Sequence, residues 1–150
     1  MKLRRIGGTK TSASFTRTLA ATALLLFASN GIANAADAAG TWARPSGSSR
    51  IEIAPCGNAL CGTLVWLKEP RNDVKNPDPA KREKPLLGTQ IVLGMTPTGK
   101  DGNWKGQVYN AEDGKTYKGY ITLEGNDKMK LEGCVLGGLF CKGETWSRVN

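Results

Sequence analysis

Residues 103–124 read NWKGQVYNAEDGKTYKGYITLE. Trp104, Gly106 and Val108 alternate with Lys105, Gln107 and Tyr109. After Asp113-Gly114 the pattern resumes, with Tyr117, Gly119, Ile121 and Leu123 set against Lys118, Tyr120 and Thr122. A period of two gives a strand one dry and one wet face, and Asp-Gly between two such runs is a hairpin signal. The stretch therefore predicts two antiparallel strands joined by a tight turn.

The same reading extends outward in both directions. Further strands are expected at 40–44 (GTWAR), 49–54 (SRIEIA), 61–68 (CGTLVWLK), 89–95 (TQIVLGM), 128–135 (KMKLEGCV) and 140–149 (FCKGETWSRV). Together with 103–110 and 115–124 they make eight. No helical period of useful length competes with them. Most connections are short and carry turn residues, as in TPTGKDG 96–102, EGNDK 124–128 and LGG 136–138, so sequence neighbours are spatial neighbours in an antiparallel meander. A meander leaves its first and last strands bare, and closure into a barrel removes both edges. The expected fold is all-β: a single antiparallel up-and-down β-barrel of about eight strands. Closure would bring Trp42 beside the Trp146–Arg148 stretch, with Arg148 over the Trp42 ring capping one barrel end.

The N-terminus is of another kind. Lys2, Arg4, Arg5, Lys10 and Arg17 precede the apolar run LAATALLLFA, 19–28, and Ala33 and Ala35 form an A-x-A site. This pattern predicts a secretory signal peptide over 1–35, leaving one domain over 36–150 and no stable membrane anchor after cleavage. The apolar run is too short for a membrane span, the LRRIGG context fits twin-arginine export poorly, and no Cys follows the site to carry a lipid. The whole chain has net charge +8. The leader holds five basic residues and no acid, so the remainder has 16 basic against 13 acidic side chains, a net of +3. The basic character is thus largely leader, and nucleic-acid binding is not expected. The expected location is periplasmic or secreted.

The chain has four cysteines, all beyond the leader. An even number in an exported chain reads as disulfides. Cys56 and Cys61 flank the turn between strands two and three, and Cys134 and Cys141 the turn between seven and eight. Each pair would face across its own hairpin at a bridgeable distance. Zinc is disfavoured by the wide spacings and the absence of His, redox chemistry by the lack of a C-x-x-C site. No metal or other cofactor is expected.

One connection stands apart. KEPRNDVKNPDPAKREKP, 68–85, carries four prolines and ten charged side chains, long for a turn and polar for a core. It is either a lid or partner surface, or a solvated excursion held by Asx and Pro turns. Asp73, Asn76 and Asp78 suit turn chemistry better than calcium, since their spacing matches no calcium loop.

GTWARPSGSSRIEI, CGTLVWL, DVKNPDP, PLLG, DGKTYKG and TWSRV together resemble an exported bacterial family known as domain of unknown function 2147, over about residues 40–149. GTW on the first strand with an Arg on the last also resembles lipocalin and wider calycin barrels. The resemblance implies a lipocalin-like barrel in the envelope and no particular activity. An eight-stranded barrel can enclose one small ligand. The leading functional expectation is therefore binding of a small apolar or amphipathic molecule, with Trp66, Trp104 and Tyr117 as inward-facing candidates to line the site. The alternative is a protein-interaction or envelope-structural module without a ligand cavity, engaging an envelope partner through the 68–85 loop. Catalysis is not expected: the chain has no His, which removes the commonest general base. The carboxylates Asp73, Asp101, Asp113 and Glu144 show no evident pairing.

Overall fold

A computed structural model describes residues 38–149. The leader expected over 1–35 lies outside the described residues. Eight strands form: β1 Gly40–Ala43, β2 Ser49–Cys56, β3 Ala59–Leu67, β4 Gln90–Pro97, β5 Asn103–Asn110, β6 Lys115–Leu123, β7 Lys128–Val135 and β8 Phe140–Arg148. Each pairs antiparallel with the next, and β1 pairs with β8, giving a closed barrel in sequence order. Among the described residues no helix is long and apolar enough to cross a membrane.

The seam forms where it was expected. Trp42 lies in register with Arg148 and Ala43 with Ser147. The Arg148 guanidinium carbon stands 4.1 Å from the centroid of the Trp42 ring. Arg148 also donates to the Ala39 and Asn126 carbonyls, each at 2.6 Å, and the Trp42 indole N–H donates to the Ala38 carbonyl at 3.0 Å. Residues 38 and 39 and the cation thus close this end of the barrel. Both disulfides join the expected pairs, Cys56 to Cys61 and Cys134 to Cys141.

The interior is divided along the barrel axis. Towards the closed end, Trp42, Ile51, Ile53, Val92, Trp104 and Ile121 are fully buried with Met95 and Met129 in one apolar cluster. Gly106 and Gly119 sit opposite each other on β5 and β6. A Cβ on Gly119 would lie 2.6 Å from Val108 Cγ2 and 2.7 Å from Met95 Cε, so the missing side chain makes room for that packing. Towards the other end lie Arg44, Ser49, Leu67, Val108, Tyr117 and Glu144, and there the barrel is hollow.

The long connection between β3 and β4 is no free excursion. Asn72 and Pro85 form an isolated antiparallel bridge, the Asp73 N–H donates to the Lys84 carbonyl and the Leu86 N–H to the Arg71 carbonyl. Asx turns shape its tip: Asn76 Oδ1 accepts from the Asp78 N–H and Asp78 Oδ1 from the Ala80 N–H. The segment is docked on the barrel's outer wall. Buried Asp73 accepts from the Tyr109 hydroxyl of β5 at 2.8 Å and from Asn76 Nδ2 at 2.7 Å. Desolvation, then the hydrogen bond to Asp73, pushes the Tyr109 phenol up to about 12. Leu86 is buried with the core cluster.

Gly114, in the β5–β6 turn, meets this segment most closely. It has φ +71°, and a Cβ there would fall 1.8 Å from the Lys75 carbonyl oxygen. Gly114→Ala therefore faces both a strained backbone and a clash with main chain. It is expected to destabilise the fold by at least about 1 kcal/mol and to speed proteolysis within 68–88. Thermal unfolding together with limited proteolysis checks this; an unchanged cleavage pattern would show that the segment is not held by this contact.

Candidate functional site: the hollow end of the barrel

The open end carries the connections β1–β2, β3–β4, β5–β6 and β7–β8. Between them lies a cavity of about 970 Å³, at the upper end of the roughly 300–1,000 Å³ usual for small-molecule sites. Leu64, Leu67, Ile91, Val108 and Leu131 supply apolar wall, and Leu86 closes one side from the docked segment.

The polar groups follow from strand phase. Arg44, the residue after β1, continues the inward series of Gly40 and Trp42. On β8, Glu144 stands two residues before inward Trp146, and on β2, Ser49 two before inward Ile51. Each series begins in the packed half and reaches the hollow half as a polar residue. Arg44 Nε and Nη2 hold the two carboxylate oxygens of Glu144, the second bond at 3.0 Å. The Trp146 indole N–H donates to Glu144 Oε1 at 2.7 Å. Burial pushes the Glu144 carboxyl up, but the hydrogen bonds from Arg44 and Trp146 outweigh it and bring its pKa below the ordinary value. Ser49 is only 3% exposed, and its hydroxyl has no hydrogen-bond partner among the described residues. At the rim, Arg71 pairs with Glu112, and the Tyr117 hydroxyl donates to Asp113.

The hydrogen bond from Arg71 lowers the Glu112 carboxyl and that from Tyr117 lowers Asp113, while the bond to Asp113 raises the Tyr117 phenol.

The Arg44–Glu144 brace has a testable pH signature. A carboxylate whose pKa is lower folded than unfolded stabilises the fold above the unfolded pKa, and that contribution is lost as pH falls through the folded value. Glu144→Gln is expected to cost on the order of 1 kcal/mol at neutral pH. The gap from the parent protein should close as pH drops below the carboxyl's ordinary 4.5. Urea unfolding at about pH 7 and about pH 3 checks this; the same gap at both would contradict the brace.

The three aromatic candidates separate. Tyr117 lines the cavity. Trp104 faces inward but lies in the packed half, fully buried, and contributes nothing to the cavity wall. Trp66 is misplaced by the inward expectation: it stands on the outer face, 40% exposed, with the Arg50 guanidinium 5.1 Å from its ring centroid. The cause is a bulge. Ile51 pairs with Leu64 but Arg50 pairs with Trp66, so Val65 is an extra residue and the strand changes phase beyond it. Trp42, Trp146 and Arg148 hold the closure positions expected of them.

A second concavity, a groove of about 550 Å³, lies on the outer wall beneath the docked segment, between Asp73, Lys81, Lys84, Leu87 and Tyr109. Its buried carboxylate is already doubly hydrogen-bonded in anchoring that segment.

A closed, antiparallel, eight-stranded up-and-down barrel is a lipocalin-like fold. The solved structure of protein HP1028 from the human pathogen Helicobacter pylori, which belongs to the lipocalin family, superposes with a TM-score of 0.67 at 21% sequence identity, covering 75% of this chain and 82% of that one. The chain itself belongs to the bacterial family described as "Uncharacterized protein conserved in bacteria (DUF2147)", whose model matches residues 40–148. No functionally curated protein matches the chain.

Proposed function

We propose that this barrel is an exported, non-enzymatic carrier or sensor that holds one small amphipathic molecule in its hollow end. The observation that carries the reading is the cavity of about 970 Å³, apolar along its walls and polar at chosen points. Apolar area favours entry of a hydrocarbon body. The unpartnered Ser49 hydroxyl favours a ligand bearing a hydrogen-bonding group, because a buried hydroxyl left unpaired costs about 1–3 kcal/mol. Arg44 and Glu144 neutralise each other, so the site asks for polarity more than for a full charge.

Export is supported by the basic and apolar leader pattern and by two hairpin disulfides, which persist in oxidising compartments. A binding role over catalysis is supported by the His-free sequence and by the bridging of all four cysteines. The 68–85 loop, the alternative partner surface, is better accounted for as a strap beside the cavity mouth, since Arg71 and the adjoining Leu86 line the cavity.

Fluorescence titration with N-phenyl-1-naphthylamine, a probe bright only in apolar surroundings, tests the proposal. Saturable enhancement at one probe per barrel is expected. Enhancement that never saturates, or none at all, would overturn it.

A further inference from the structure

The turn joining β7 to β8, with the strand residue on each side of it, reads VLGGLF, 135–140, and exposes large apolar side chains. Leu136 and Leu139 are each 74% exposed and Phe140 61%. The turn is held in one shape: Leu136, Gly137 and Gly138 have φ of 51°, 72° and 99°, and the Cys134–Cys141 bridge closes the hairpin directly beneath them. A stapled projection that keeps large aliphatic side chains in water marks a contact surface.

Its surroundings indicate what it contacts. Residues 133–143 contain no acid, while Lys142 stands on β8 of the hairpin and Lys118 on the neighbouring β6. Lys118 is in register with Cys134. The nearest acids on the two strands are engaged, Glu132 by Lys130 at 2.8 Å and Glu144 by Arg44. The hairpin end is apolar and exposed at its tip, with Lys118 and Lys142 below it. That combination suits a bilayer, whose acyl region accepts aliphatic side chains of any shape and whose anionic head groups attract lysines.

We propose that the 135–140 turn docks the barrel on an anionic membrane surface. The inference rests on the exposed turn and the two lysines below it, independently of what the cavity holds. The turn stands at the cavity mouth, since Val135 and Phe140 also border the opening. Docking would turn that opening towards the membrane, and an amphiphile would pass between bilayer and barrel with little exposure to water.

Protein spanning residues 36–150, which contains every strand of the closed barrel, tests this by flotation. Two kinds of vesicle serve, one of mixed phosphatidylglycerol and phosphatidylethanolamine, the other of phosphatidylcholine alone. The expected result is co-flotation with the anionic vesicles, weaker with phosphatidylcholine. The paired change Leu136→Ser and Leu139→Ser should reduce it at least about tenfold. Neither leucine lines the cavity, so probe titration should be unchanged in that variant and reports that it has folded. Failure of the parent protein to float, or equal flotation of parent and variant, would overturn the proposal. So would self-association of the parent, seen by sedimentation and abolished in the variant, with no vesicle binding; that result would assign the turn to a second copy of the chain.

Discussion

Trp42→Ala is expected to lower the free energy of unfolding by about 3–5 kcal/mol, a large part of the total for a domain of this size. Three losses coincide. The indole is fully buried among the closed-end cluster, so its removal leaves a hole in a close-packed region. The Arg148 guanidinium loses the ring beneath it, a contact of about 0.5–2 kcal/mol. The Ala38 carbonyl loses the donor that ties the entering chain across the barrel end. Trp42→Phe keeps most of the volume and a ring face but not the indole N–H, and should cost about half as much or less. Urea denaturation of the three proteins checks the ranking. A loss below about 1 kcal/mol for the alanine variant would mean that the seam is not where this barrel is held shut.

Ala111→Trp is expected to reduce probe binding by tenfold or more while leaving the barrel folded. Ala111 follows β5, borders the cavity and packs against the edge of the core. An indole there points into hollow space, so the substitution fills volume a ligand needs without overpacking the closed end. Far-UV circular dichroism should be unchanged, and thermal stability equal or slightly raised, because added apolar area is withdrawn from water. N-phenyl-1-naphthylamine titration of parent and variant makes the comparison. Undiminished binding in a folded variant would place the probe elsewhere, the outer groove beside Tyr109 being the other concavity described.

The barrel was legible because its determinants are local. The alternation of 103–110 and 115–123 needs only its own residues and the Asp113-Gly114 turn, and the cysteine pairs lie across single hairpins. The seam followed from one further step, that bare edges must close. What escaped was set by contacts distant in sequence or by a one-residue irregularity. The bulge at Val65 turned Trp66 outward, and no residue type there announces it. Trp104 faces inward as its alternation implies but lies in the packed half, since alternation gives direction and not height along the barrel axis. The docking of the long segment depends on Asp73 meeting Tyr109, 36 residues away, and on Gly114 leaving room for Lys75. The polar groups of the hollow end did carry a signal: Arg44, Ser49 and Glu144 each fall in phase with a buried apolar residue two positions along. A polar side chain on the dry face of a strand is costly unless paired or intended for a ligand.

The most direct test of the binding site is the intact mass of the protein, expressed from the full 150-residue sequence, purified without reducing agent and compared under native and denaturing conditions. The denatured mass should match a chain beginning near residue 36 with both disulfides formed. The native mass should exceed it by one small molecule that departs on denaturation and is displaced by N-phenyl-1-naphthylamine. Identical native and denatured masses, in a protein that also fails to take up the probe, would contradict the claim that the hollow end is a binding site.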